Sequence, residues 1–249
     1  MSATQQAKAS DALVNLPSLD RRFFTAYAYA GIAAVFVGFA KTYYLRSYTD
    51  APPLSALVQL HAIIFSAWMI LFAVQTSLVA TKRVPIHRSL GYASIGLAVV
   101  MVVAGLGAGL IGARDGWTGP QQVRDPVGGL SFMIVPIVDM LIFGGFYAGA
   151  VLYRRQRDAH KRLMVLAMCG SIMPPAFARL PLPVTLTLGL SFLLAGPIYD
   201  RLSRGAIHIV YKWGAPLIVV SFPLRQMVGA TEAWRNVARW LLQITGVGA

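Results

Sequence analysis

Four histidines are the residues of this chain best suited to metal or proton chemistry, and each lies within or at the end of a long apolar stretch. His87, His160 and His208 stand at the starts of such stretches, whereas His61 lies well inside one. An ionisable ring inside a membrane costs free energy and usually serves a function. These four positions therefore indicate where chemistry could occur.

His87 and His160 are expected at the same depth on neighbouring helices, because both begin apolar stretches that enter from the same side. Two histidines so placed can bind the iron of haem b axially. Arg88, Lys161 or Arg162 could then contact the haem propionates. This arrangement predicts a haem-b electron-transfer protein, with haem b as its one cofactor and a redox protein or a quinone as its partner.

A zinc site is the second interpretation of the same histidines. With His208 they could bind zinc and leave a fourth position for water, as in a hydrolase. Asp158 and Asp200 could orient a histidine or act as the base. However, the chain contains no His-x-x-x-His or His-Glu-x-x-His spacing, which disfavours a helix-borne zinc site. A third interpretation places these histidines among lipid headgroups without further function.

A separate polar cluster is predicted from His61, Asp139 and Arg179. An aspartate in the middle of a bilayer must be paired, protonated or open to water, because its charge there costs ~2.5 kcal/mol or more. Asp139 could pair with Arg179 or His61 and lock two helices together. The cluster could instead form a proton relay or a polar site. It predicts a non-redox small-molecule or proton-handling protein, or an accessory structural subunit.

The apolar stretches that carry these residues define the fold class. The 249 residues are 57% hydrophobic and 12% charged, about half the charged fraction of a soluble domain. We therefore expect an all-α, polytopic membrane helix bundle, with the lipid bilayer as its surroundings. Seven transmembrane helices are predicted, at roughly residues 23–44, 54–80, 87–112, 129–153, 161–179, 183–199 and 206–225.

Prolines and glycines refine this prediction. Pro174, Pro175 and Pro181 interrupt the fifth and sixth stretches, so a six-span bundle with one re-entrant segment is the alternative. Gly105 and Gly109 form a small-xxx-small pattern, which favours close packing by another helix of the same chain.

Three regions follow from the pattern. Residues 1–22 are predicted to be a polar cytoplasmic segment, 23–225 the helix bundle, and 226–249 a tail on the outer side. Within the tail, 230–244 has the apolar spacing of an amphipathic helix in the membrane interface. Residues 113–128 are rich in glycine, proline and charge and are predicted to form a loop.

The net charge of +13 is explained by topology rather than by nucleic-acid binding. More Lys and Arg residues fall in the segments on one side of the predicted bundle than on the other. The positive-inside rule then predicts a bacterial inner-membrane protein with a cytoplasmic N-terminus and a periplasmic C-terminus. No glycine-rich nucleotide-binding motif occurs in the chain.

Four short motifs follow one another between about residues 54 and 182. They are Leu60-His61 with Trp68 and Gln75, then Pro85-Ile86-His87-Arg88-Ser89-Leu90-Gly91, then Ala159-His160-Lys161-Arg162-Leu163-Met164, and last Ala178-Arg179-Leu180-Pro181.

This succession resembles an uncharacterised family of predicted bacterial multi-pass membrane proteins, whose pattern is an in-span His, His-Arg-x-x-Gly, His-Arg-x-x-Met and a later Arg. The resemblance implies functional roles for His61, His87, His160 and Arg179. The chain departs from the family pattern at Lys161, where the family prefers Arg, and at Leu163, where it prefers Trp. Its layout is also distantly similar to transmembrane haem-b cytochromes and ferric reductases.

Overall fold

The computed structural model describes residues 3–49, 53–115 and 126–247, and within these ranges the regular structure is entirely helical. Side chains are described for residues 16–49, 53–114 and 128–247. The helices are α1 (Ala3–Phe39), α2 (Ala56–Ala80), α3 (Val84–Asp115), α4 (Pro126–Phe132), α5 (Ile134–Leu152), α6 (Arg157–Ala167), α7 (Met173–Phe177), α8 (Leu182–Arg204), α9 (Ile209–Gly229) and α10 (Glu232–Ile244).

Five helical segments in the described ranges are long and apolar enough to cross a membrane. Large apolar side chains on them are exposed, such as Ile63, Val103 and Leu141, and such a surface is suited to lipid. The length and apolar composition of these helices support the predicted membrane helix bundle. The five segments are Leu16–Tyr44, Ala56–Ala80, Val84–Arg114, Gly128–Leu152 and Leu182–Arg204.

The two remaining predicted spans, 161–179 and 206–225, are not among these five. The first is divided between α6 and α7, and the second corresponds to α9, which contains Lys212 and Arg225. A total of seven spans therefore stays a prediction.

The segment formed by α6 and α7 occupies the centre of the bundle. A wider π-helical turn, Met168–Ile172, separates the two helices, and Pro174 follows it at the start of α7. Proline has no N–H to continue the helical hydrogen bonds, so a break is expected here. Leu166, Met168 and Met173 are fully buried. The break predicted from the prolines is therefore present, and its surroundings are protein.

The helices run alternately between two ends of the bundle. Contacts of Asp20 with Lys161 and Arg204 join helices at one end, and Gly38 meets Ala176 at the other. We call the first the basic end, which comprises residues 16–22, 80–88, 152–161 and 200–209. We call the second the far end, which comprises residues 39–49, 53–56, 177–182 and 229–247.

The described residues bear on two of the predicted regions, the N-terminal segment and the loop at 113–128. α1 begins at Ala3, so it includes much of the segment predicted to be separate at 1–22. Most of the predicted loop at 113–128 lies outside the described residues.

α10 occupies the predicted amphipathic residues and packs against the rest of the bundle. Ala238 and Leu242 are buried, and the Trp234 indole donates a hydrogen bond to the Leu130 carbonyl at 2.9 Å. Its position in the membrane interface stays a prediction.

Candidate functional site

Buried polar atoms without a hydrogen-bond partner occur mainly in two groups in the described part of the chain. Such an atom costs about 1–3 kcal/mol and calls for an explanation, such as a bound ligand. One group contains Gln75 and the other contains His61. Both residues lie on α2, and at ~1.5 Å per residue they are ~21 Å apart, so the two groups are well separated. The first group, toward the basic end, is Gln75 Oε1 and His87 Nδ1; the second, toward the far end, is Thr42 Oγ1, Arg46 Nη2, His61 Nδ1 and Arg179 Nε. Tyr211 OH is a further such atom.

His87 and His160 face each other at the basic end. Their ring centres are 6.4 Å apart, and the ring planes are inclined by 83°. His87 lies in the first turn of α3, while His160 lies in the first turn of α6. The structure therefore brings together the two histidines that the sequence placed at equal depth.

The orientation of the His160 ring is set by a backbone contact. Its Nδ1 lies 2.7 Å from the carbonyl oxygen of Ala150 near the end of α5. Because the carbonyl can only accept, Nδ1 carries the hydrogen and Nε2 retains its lone pair. Histidines that bind metals are commonly oriented in this way by a second hydrogen bond.

The separation of the two rings is suited to one shared metal ion. Imidazoles that bind from opposite sides at ~2.0–2.1 Å have ring centres about 6 Å apart. The observed distance between ring centres, 6.4 Å, is close to this value. Gln75 lies beside the pair, because the His87 ring is near its backbone and its side-chain nitrogen faces Gly91.

Of the three predicted propionate partners, only Arg88 remains accessible without an ion pair in the described residues. Arg88 is exposed next to His87. Arg162 is fully buried and forms two hydrogen bonds to Asp200, at 2.5 and 2.8 Å. Lys161 contacts Asp20 at 2.5 Å. The predicted propionate roles of Lys161 and Arg162 are therefore disfavoured.

These residues belong to an ion network that joins α1, α6 and α8. Lys161 also contacts Asp158 at 2.6 Å, and Arg204 contacts Asp20 at 2.6 Å. Burial would raise the pKa of Asp158, but hydrogen bonds from Lys161 and Arg162 outweigh this effect and hold its pKa well below the usual range. The network balances three acidic residues with three basic ones, and its chemistry is that of helix packing.

The predicted three-histidine zinc site does not form. His208 is the N-cap of α9, where its Nδ1 accepts a hydrogen bond from the Val210 N–H at 3.2 Å. Asp200 accepts from the backbone N–H of His208 and does not orient the ring. Within the described residues, no three His, Cys, Asp or Glu side chains are grouped so as to hold a metal ion.

Asp139 pairs with a residue that the sequence interpretation missed. The Arg225 guanidinium on α9 lies 2.6 Å from the Asp139 carboxylate on α5, and both side chains are buried. Arg225 also donates to the hydroxyl and the carbonyl of Ser221. The predicted pairing of Asp139 with Arg179 or His61 is therefore wrong. The signal available in the sequence was the arginine at the end of the seventh apolar stretch.

His61 and Arg179 remain together at the far end without Asp139. Arg179 lies 4.1 Å from the centre of the Phe39 ring and donates to the Pro175 carbonyl at 2.5 Å. His61 stacks on Phe65 at 4.1 Å and lies within electrostatic reach of Arg179. Both side chains retain a buried nitrogen without a partner. Arg179 has the N–H donors and the positive charge needed to receive an anion.

Comparisons with protein-family models, curated proteins and solved structures find no match for this chain.

Proposed function

We propose that this chain is an integral membrane electron-transfer protein that binds haem b between His87 and His160. The observation that carries the proposal is the 6.4 Å separation of the two rings on different helices. The hydrogen bond from His160 Nδ1 to Ala150 adds support, since it directs the other ring nitrogen away from the backbone. Arg88 is the residue of this site that would meet a propionate.

His87 and His160 would both serve as iron ligands, which would favour electron transfer over oxygen chemistry. Haem b bound there would supply a one-electron couple. The chain's part is to hold the two imidazoles at a fixed separation, with α3 supplying His87 and α6 supplying His160. Arg162 and Lys161 hold α6 in place through the ion network.

The location proposed for this site is the cytoplasmic edge of a bacterial inner membrane. The basic end carries Arg83, Arg88 and Arg155, and positive residues accumulate on the cytoplasmic side. A soluble redox protein on that side, or a quinone in the bilayer, would be the electron partner.

The experiment is a visible absorption spectrum of the detergent-purified protein, oxidised and dithionite-reduced, with haem quantified chemically. We expect close to one haem per chain in the wild type and a loss of most haem in His87→Ala and in His160→Ala. The matched control is His208→Ala, because His208 lies at the same end but caps a helix.

Size-exclusion chromatography of each variant separates loss of haem from loss of folding. Haem retained in the variant lacking both His87 and His160 would contradict the proposal. A colourless wild type, expressed with ample haem supply, would do the same.

A further inference from the structure

The far end of the bundle contains a half-buried arginine, Arg179, whose charge is not neutralised by any described carboxylate. Arg179 has five N–H donors. One donates to the Pro175 carbonyl, and the Nε group is buried without a partner. The Phe39 ring covers one face of the guanidinium. Because its Nε group is removed from water without a partner, an acceptor for this group is expected.

The described carboxylates at this side of the bundle already have partners. Asp139 is paired with Arg225, and Glu232 accepts hydrogen bonds from Arg235 and Arg239. Neither lies within ion-pair distance of Arg179. The counter-ion of Arg179 is therefore sought outside the described side chains.

Other unsatisfied groups lie at the same end. His61 supplies a ring nitrogen, Thr42 a hydroxyl and Arg46 a second guanidinium nitrogen, all buried and without hydrogen-bond partners. A groove of about 350 Å³ opens at this end, and Arg46 and Gln59 are among the residues that line it. Two arginines, Arg46 and Arg179, thus contribute positive charge at this end of the bundle.

We infer that Arg179 forms a binding site for an oxyanion group at the far end of the bundle. The guanidinium fork of Arg179 matches the paired oxygens of a phosphate or carboxylate group. The oxyanion belongs either to a lipid headgroup or to a small soluble molecule. The site is separate from the two histidines proposed for haem.

The test measures thermal unfolding of detergent-purified protein during titration with inorganic phosphate, compared with sodium chloride at equal ionic strength. Native mass spectrometry of the same sample detects co-purified phospholipid. We expect phosphate to raise the midpoint temperature of the wild type above the chloride control, because a ligand that binds the folded state stabilises it. Arg179→Gln should abolish this shift.

Lys41→Gln is the matched control, because it removes one positive charge at the same end from an exposed side chain. It should retain the phosphate shift. If Arg179→Gln does not fold, Arg179→Lys serves instead. It keeps the charge and loses the fork, so about tenfold more phosphate should be needed for the same shift.

The outcomes separate the two sources of the oxyanion. A phosphate shift that depends on Arg179 identifies a soluble ligand. No phosphate shift, with a bound phospholipid that is lost in the Arg179 variant, identifies a lipid headgroup. The absence of both effects would overturn the inference and leave Arg179 as a packing residue at the end of α7. The haem content is expected to be unchanged in every variant, so failure here is distinguishable from failure of the haem proposal.

Discussion

At the scale of single residues, the polar side chains of this chain divide into paired and unpaired groups. Arg162 and Asp200 are both completely buried and satisfy each other. Asp139 and Arg225 do the same elsewhere. In contrast, His61, His87 and Arg179 each keep a buried nitrogen without a partner. Paired groups hold helices together, whereas unpaired groups indicate positions where a ligand would complete the structure.

Asp200→Asn tests the structural role of the paired residues. We expect the free energy of unfolding in mixed micelles to fall by about 3–5 kcal/mol, because Arg162 keeps a buried charge without its main counter-ion. A denaturant titration followed by circular dichroism measures the change.

The double variant with Arg162→Met and Asp200→Leu is the control. It removes both charges and should lose less stability than the single change. Unfolding of Asp200→Asn within about 1 kcal/mol of the wild type would show that the pair contributes little.

At the scale of helices, close approaches decide how the central segment is positioned. Gly38 on α1 lies against the backbone of Ala176 on α7, and a Cβ at this position would overlap the Ala176 carbonyl. Gly105 and Gly109 on α3 likewise meet Met140 and Pro136 of α5. The intramolecular packing predicted from the Gly105–Gly109 pattern is thus confirmed. The first contact also carries Phe39 toward Arg179.

Gly38→Ala should therefore destabilise the protein. We expect a loss of about 1–3 kcal/mol, because the added methyl meets a backbone atom that cannot rotate away. The midpoint of thermal unfolding in detergent reports the change.

Gly96→Ala is the matched control, since nothing lies within 4 Å of a Cβ at that helical position. It should be neutral or slightly stabilising, because alanine favours a helix by up to about 1 kcal/mol over glycine. Equal midpoints for the two variants would argue against close packing of α1 on α7.

At the scale of the whole molecule, the surface combines apolar helices with a basic end. The exposed apolar side chains of α2, α3 and α5 suit the interior of a bilayer. Arg83, Arg88, Arg154 and Arg155 lie together at one end. The positive-inside rule predicts that this end lies in the cytoplasm.

Cysteine labelling in intact cells tests this orientation. The single native cysteine, Cys169, is buried and is first replaced in Cys169→Ala. A membrane-impermeant maleimide should then label Tyr48→Cys at the far end. It should label Arg155→Cys at the basic end only after the cells are opened. The reverse pattern would invert the orientation, and labelling of both in intact cells would argue against a sealed topology.

The sequence was sufficient to predict an all-helical chain with several apolar helices and the break at the prolines, and it placed His87 and His160 at one depth. Helical hydrophobicity repeats locally, and proline acts on its own backbone, so both signals are contained in short segments. His87 and His160 were predicted at one depth because each begins an apolar stretch on the same side. Depth follows from counting residues along a helix at a constant rise.

Which side chains face each other was decided only by the tertiary structure. Arg225 lies far along the chain from Asp139, and the choice between Arg225 and Arg179 depends on how α5, α7 and α9 rotate about their axes. Arg162 likewise turns toward Asp200 rather than toward a haem propionate. Counting residues along a helix gives the depth of a residue. Apolar periodicity indicates poorly which way its side chain points when most faces of the helix are apolar. Packing of neighbouring helices sets that direction, and with it the difference between an ion pair and an open site.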